Sequence, residues 1–319
     1  MKTIFSLYLI LGVTLLGAEP LLRPASELIA TGNVVSLERH GERLFAATDS
    51  GVVDFFDLKE NRHLQSLKLP PIKSFFEDSY PPKIFGIDTL DGQTLLILSE
   101  DSDGGRALFL YQNEKLEKLF STKDQLSIKE ARFITPNTLL LALTSNEIAL
   151  FELSGRRFLY RTQLSLSTFS DLALSETRGR LAATNESGEI DIVDSQNGSI
   201  LKKLKGIHKD NVYQLAMAKE TILSAGQDRR VGIFSLSRGS AESLEGGFLI
   251  YAVGISPKGE RGAYMKNEES DIALFEIRTK APIATLKGHQ ATLNTLLFID
   301  EKELVSGADE RRILRWRLP

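Results

Sequence analysis

Strand-like apolar runs recur along this chain at a fixed interval. The run Ile313-Leu314-Arg315-Trp316 has counterparts ending at Phe275, Phe234 and Val193, each 41 residues from the next. Earlier counterparts end at Phe151 and Tyr111, at spacings of 42 and 40, and then at Phe56 after a gap of 55. Self-similarity at about 40 residues marks a unit of four short strands that stacks on its neighbours. Seven such units predict an all-β chain folded as a seven-bladed β-propeller.

Each unit reads as an inner strand, two middle strands and an outer strand. Residues 34–37, 43–48, 52–58 and 63–69 fit that order in the first, with Asp49-Ser50-Gly51 as the hairpin between middle strands. The fourth repeats it with residues 181–184, Glu186-Ser187-Gly188, 189–194 and 200–204, and the sixth with residues 251–256, 263–266, 272–277 and 282–286. The seventh stops at Pro319, short of an outer strand, while residues 21–29 stand unassigned before the first. The expectation is that residues 21–29 supply the missing strand and close the ring, since an open sheet edge invites aggregation. An outer strand, paired on one side only, tolerates Pro20 and Pro24.

Residues 1–18 read differently. Lys2 precedes a 13-residue apolar stretch, residues 4–16, and Gly17-Ala18 offers small residues for cleavage. That is short for a membrane span and fits a secretory signal peptide. The expected organisation is a signal peptide over 1–18 and a propeller over 19–319, in a periplasmic protein whose mature chain does not enter the membrane. The absence of cysteine excludes disulfides, a thiol nucleophile and lipid attachment through cysteine. A formal charge of −3 argues against a nucleic-acid partner.

Two units carry finer marks. The last has Gly288-His289, Ser306-Gly307-Ala308-Asp309-Glu310 and Trp316; the fifth has Gly206-Ile207-His208, Ser224-Ala225-Gly226-Gln227-Asp228 and Phe234. In these the chain resembles the WD-repeat family. The resemblance implies a structural hydrogen-bonded set of His208, Ser224 and Asp228 in one blade and His289, Ser306 and Trp316 in another. In the last blade the turn acid is Glu310 or its neighbour Asp309. In size, export signal and degenerate repeats the chain also resembles the accessory propeller associated with bacterial periplasmic nitrate reductase.

Candidate chemistry is sparse. A serine, histidine and aspartate in one unit suggest a hydrolase triad, but the same types at repeat spacing in two units point to structure. The four histidines lie at no metal-ligand spacing, and the acidic run over residues 100–105 lacks the further carboxylates of a calcium loop. No cofactor or metal is expected. The alternative is a propeller hydrolase or lactonase with a metal at the central channel, drawing on Glu130 or Asp171 with Asn211 and Asn294 nearby.

Departures from the repeat say more. The long gap holds an insertion between units one and two, flanked by Pro70-Pro71 and Pro81-Pro82 and carrying Phe75, Phe76 and Tyr80. The acidic hairpin with Asp101 and Asp103 should share its face, as should Arg229, Arg230, Arg311 and Arg312. Aromatic anchors beside opposite charges fit a docking patch. The competing expectations are that the aromatics fold down as core and that the arginines pair locally with Asp228, Asp309 and Glu310. The reading is a monomeric, non-catalytic propeller that binds another periplasmic protein.

Overall fold

The computed structural model describes residues 19–73 and 78–319. They form seven sheets around a central channel, each antiparallel from inner to outer strand, and in six of them those four strands come from one unit of chain. The inner strands are Val34–His40, Ile84–Thr89, Ile128–Thr135, Phe169–Leu174, Val212–Ala218, Val253–Ile255 and Leu293–Phe298. We number the blades 1 to 7 in that order. The upper face carries the blade-to-blade connections and the hairpins between middle strands. The lower face carries the other two turns of each blade.

Burial explains why these runs become strands. The middle strands Arg43–Thr48 and Val52–Asp57 bury almost every side chain, because both of their faces pack against neighbouring blades. The outer strand Arg62–Lys68 is polar and exposed. The core is therefore a set of layers between blades. Phe45, Val53 and Phe55 of blade 1 meet Ile87, Leu95 and Ile97 of blade 2 in one such layer.

Six inner strands slip register near their start, at Val34/Ser36, Ile84/Gly86, Ile128/Glu130, Phe169/Asp171, Val212/Gln214 and Leu293/Thr295. A bulge bends the strand and re-aims the side chain that follows it. In blades 3, 4 and 5 that side chain is Glu130, Asp171 and Gln214.

The N-terminal segment closes the ring, but not as a single strand. Ser26–Ile29 pairs antiparallel with the last strand, from Ser26↔Arg315 to Ile29↔Arg312, and buries Leu28. Leu21–Leu22 instead runs parallel to Pro282–Leu286 and makes blade 6 five-stranded. Pro24 falls in the crossing between the two pairings, where its missing N–H costs no ladder bond. The segment thus ties blade 6 to blade 7 as well as completing blade 7. The expected signal peptide, residues 1–18, lies outside the described residues. Among those described, no helix is long and apolar enough to cross a membrane.

Candidate functional site

The histidines form buried relays. In blade 7, Trp316 Nε1–H donates to Ser306 Oγ at 2.8 Å, and His289 bridges Ser306 Oγ at 2.6 Å and Glu310 Oε1 at 2.7 Å. A carboxylate only accepts, so His289 Nδ1 donates to Glu310, and with a neutral ring Nε2 accepts from the serine. Burial alone would raise the Glu310 pKa, yet hydrogen bonds from His289 and Arg312 hold it below the ordinary value. Of the two acids the sequence offered, Glu310 completes the relay. Asp309 turns away and accepts from Asn294 Nδ2 at 2.7 Å.

Blade 5 repeats the arrangement without tryptophan. His208 bridges Asp228 Oδ1 at 3.0 Å and Ser224 Oγ at 2.6 Å. Burial lowers the His208 pKa against the opposing pull of Asp228 and so favours the neutral ring. Gly232 makes room for it: a methyl group there would stand 3.0 Å from His208 Nε2 and closer still to Ser224 Oγ. Ser224 and Ser306 are both 0% exposed, so neither hydroxyl can meet a substrate. These are structural clamps.

The channel residues are committed too. Asp88 Oδ2 accepts from Phe133 N at 2.6 Å, Glu130 Oε2 from Leu172 N at 3.1 Å, Asp171 Oδ2 from Leu215 N at 2.6 Å, and Gln214 Oε1 from Val253 N at 2.9 Å. In each case a side chain of one inner strand holds the backbone of the next, from blade 2 round to blade 6. Asn294 closes blade 7 onto blade 1 by donating to Val34 O at 2.9 Å, and Asn211 accepts from Ser170 at 2.5 Å. Glu130 and Asp171, candidate acids for a channel hydrolase, are thus joints between blades. Among the described residues no cluster of histidine and acidic side chains could hold a metal ion.

These joints perturb their own ionisation. Burial pushes Asp171 well above the usual carboxyl range, reinforced by neighbouring Glu130, which is itself raised by burial. Arg132 Nη2 lies 2.6 Å from Glu130 Oε1 and offsets part of this. Deeper in the channel, Glu38 is pushed up to about 7, first by burial and then by Asp88.

The upper face holds the predicted docking residues. Ile72 and Tyr80 pair as an isolated antiparallel bridge within the insertion. Tyr80 Oη donates to Glu100 Oε1 at 3.1 Å and Lys83 N to Glu100 Oε2 at 3.3 Å, which places the insertion beside the acidic hairpin as expected. Phe75 and Phe76 lie outside the described residues. Asp101 is buried and spent on Thr122 N at 2.9 Å and Lys118 Nζ at 3.1 Å, so it belongs to the hairpin's support. Asp103 is exposed at the tip, in the left-handed region with φ 59°.

The arginine pairs divide. Arg312 binds Glu310 Oε2 at 2.8 Å, and Arg230 reaches Ile207 O and Glu245 Oε1, both at 3.2 Å: local pairing, largely with acids of their own blades. Arg311 donates to Ala30 O at 2.9 Å and helps hold the N-terminal segment. Arg229 is exposed, with no side-chain hydrogen bond among the described residues. Beside it lies a feature the sequence reading missed. Tyr213 and Tyr251 stack at 5.0 Å, and Phe248 stands edge-on to Tyr251 at 6.4 Å, all half-buried. The signal was the aromatic-rich connection Gly246-Gly247-Phe248-Leu249-Ile250-Tyr251.

No protein-family model matches the chain. It is 24% identical over 149 residues to Protein SPA1-RELATED 3 of Arabidopsis thaliana, and 23% over the same length to Protein SPA1-RELATED 4. These alignments take in 45% of this chain and only 18% and 19% of those proteins. In fold it is similar to the β-propeller domain of Cps50 (Swd1) from Myceliophteria thermophila. The TM-score is 0.73 with 16% identity, over 93% of this chain and 99% of that one. The WD-like seven-bladed propeller is thereby supported in both sequence and structure.

Proposed function

We propose that this propeller catalyses nothing and works by presenting its upper face to another protein. One observation carries the reading. The polar residues that could have done chemistry, in the relays and on the inner strands, are spent inside the ring, while loops outside the repeat are fastened into one platform above it. Tyr80 and Lys83 of the insertion bind Glu100, and Asp101 of the next hairpin binds Thr122 of the following connection. Loops already held by the scaffold lose little entropy on docking.

The finer part of the proposal is export and service to a periplasmic respiratory enzyme such as nitrate reductase. It rests on residues 2–18 and on the resemblance in size and degenerate repeats, and cell fractionation tests the export directly. The docking claim is tested by affinity capture from the native cell with three matched baits. The unaltered protein and Arg156→Gln/Arg157→Gln, changed on the lower face, should retain the same partner. Phe75→Ser/Phe76→Ser/Arg229→Glu, changed on the upper face, should lose it while melting normally. Equal capture by all three baits overturns the claim.

A further inference from the structure

The upper mouth of the channel holds a cation that forms no ion pair among the described residues. Arg106 opens the strand that follows the acidic hairpin, and its guanidinium lies over the ring of Phe85, 3.2 Å from the ring centre. The side chain is half-buried, and burial lowers its pKa against the opposing pull of Glu100. Among the described residues it makes no hydrogen bond and no ion pair. Glu100, the acid opposite it in the strand register, is occupied by Tyr80 and Lys83. Buried cations are ordinarily paired, because removal from water costs more than a lone aromatic contact returns.

Two hollows meet at this arginine. On the channel side it lines a cavity of about 230 Å³ with Phe85, Lys129, Ser170 and Asn294. On the outer side it lines a groove of about 460 Å³ between blades 2 and 3, with Thr122, Gln125, Ser127 and Thr144. Lys83 Nζ stands 5.9 Å from the Phe85 ring centre, and Lys129 is exposed on the neighbouring inner strand. Neither lysine ammonium has an acidic partner among the described residues. The remaining acids of blades 3 and 4 that face the cavity, Glu130 and Asp171, hold the next blade's backbone.

We propose that this mouth is where a partner protein inserts an acidic segment, one carboxylate of which pairs with Arg106 above Phe85. The inference rests on the docking reading of the upper face and names its chemistry. A planar guanidinium already fixed on a ring loses little freedom when it takes both oxygens of a carboxylate. Lys83 and Lys129 flank it and favour further acidic residues. The uncharged polar groove offers the flanking peptide hydrogen-bonding side chains. Asp103, exposed at the tip of the adjacent hairpin, opposes the same charge.

The test uses a fluorescent glutamate-rich peptide of about ten residues, with a glutamine-for-glutamate copy as control, read by anisotropy at low salt. The glutamate peptide should bind and the control should not. Arg106→Gln should weaken binding at least about tenfold. Arg106→Lys keeps the charge and the fold but loses the two-point contact, and should fall between. Asp103→Asn should tighten binding, and Arg156→Gln/Arg157→Gln on the lower face should leave it unchanged. No binding of the glutamate peptide, or equal binding by folded Arg106→Gln, overturns the proposal. Partner capture separates this idea from the reading beneath it. A partner lost by the upper-face variant but kept by Arg106→Gln leaves the docking face standing and sinks the arginine's role. Peptide binding that depends on Arg106, with capture indifferent to every upper-face change, sinks the docking reading instead.

Discussion

Arg178 and Asp88, ninety positions apart and two blades apart, form a two-point ion pair at 2.6 and 2.9 Å. Arg178 sits in the turn after the inner strand of blade 4, with φ 57°, and Asp88 on the inner strand of blade 2. On the way the guanidinium also takes Phe133 O of blade 3 at 2.7 Å and Thr89 O at 3.1 Å. One side chain therefore bolts three blades together at the lower end of the channel.

Breaking that pair should be costly. Asp88 is 1% exposed, and Arg178→Gln leaves its charge buried without the partner. The expected loss is about 3–5 kcal/mol in denaturant unfolding. Adding Asp88→Asn removes the orphaned charge and should restore part of it, so the double variant should be more stable than Arg178→Gln alone. Independent, additive losses would show that the contact carries no coupling.

The relays predict a second pair of effects. His289→Ala and His208→Ala should each cost about 1–3 kcal/mol by stranding a buried serine and a carboxylate. His289→Ala should also shift the emission of Trp316, whose N–H bonds Ser306 within the same relay. His208→Ala, two blades away, should leave the spectrum alone.

How much of this could be read from the chain depends on the range of the cause. The period anchored on Trp316, the hairpins and a closing role for residues 21–29 follow from local pattern, though only 26–29 complete the last blade and 21–22 join the sixth. His208 and His289 were legible too, because spacing repeats them. The turn acid was ambiguous because Asp309 and Glu310 are adjacent, and only the fold shows which reaches the ring. The blade joints were hidden: Glu130, Asp171 and Gln214 differ in type, and each acts only after a bulge aims it at a strand some forty residues away. Arg178 and Arg106 look like any other arginines in sequence. Asp101, expected in the docking patch, is instead drawn inward by Thr122 and Lys118, contacts that the sequence of the hairpin alone does not show.

Glu38 gives the ring a pH signature. A carboxyl whose pKa is higher in the folded than in the unfolded state binds more protons when folded. Its contribution is full below the ordinary value of 4.5 and is lost as pH rises through about 7. Glu38→Gln stays neutral throughout. The melting temperature of the variant relative to the unaltered protein should therefore rise from pH 5 to about pH 7 and level off above it. A difference independent of pH would contradict the buried, Asp88-facing placement of this group.

The N-terminal segment supplies a further test. Leu28 is 4% exposed among Val34, Leu44, Phe56 and Ile313, so Leu28→Ala should cost about 2–5 kcal/mol. Deleting residues 19–29 strips both the last blade's outer strand and the fifth strand of blade 6, and should cause a steep loss of stability or solubility. A deletion variant that melts within a degree or two of the longer chain would refute the closure.

The central claim is that the upper face docks a partner, and hydrogen exchange on the captured complex tests it most directly. Binding should slow exchange in residues 69–83, 100–106, 121–127 and 246–252 and leave the lower-face turns 153–157 and 236–240 unchanged. Protection confined to the lower turns, or spread evenly round the outer strands, would contradict it.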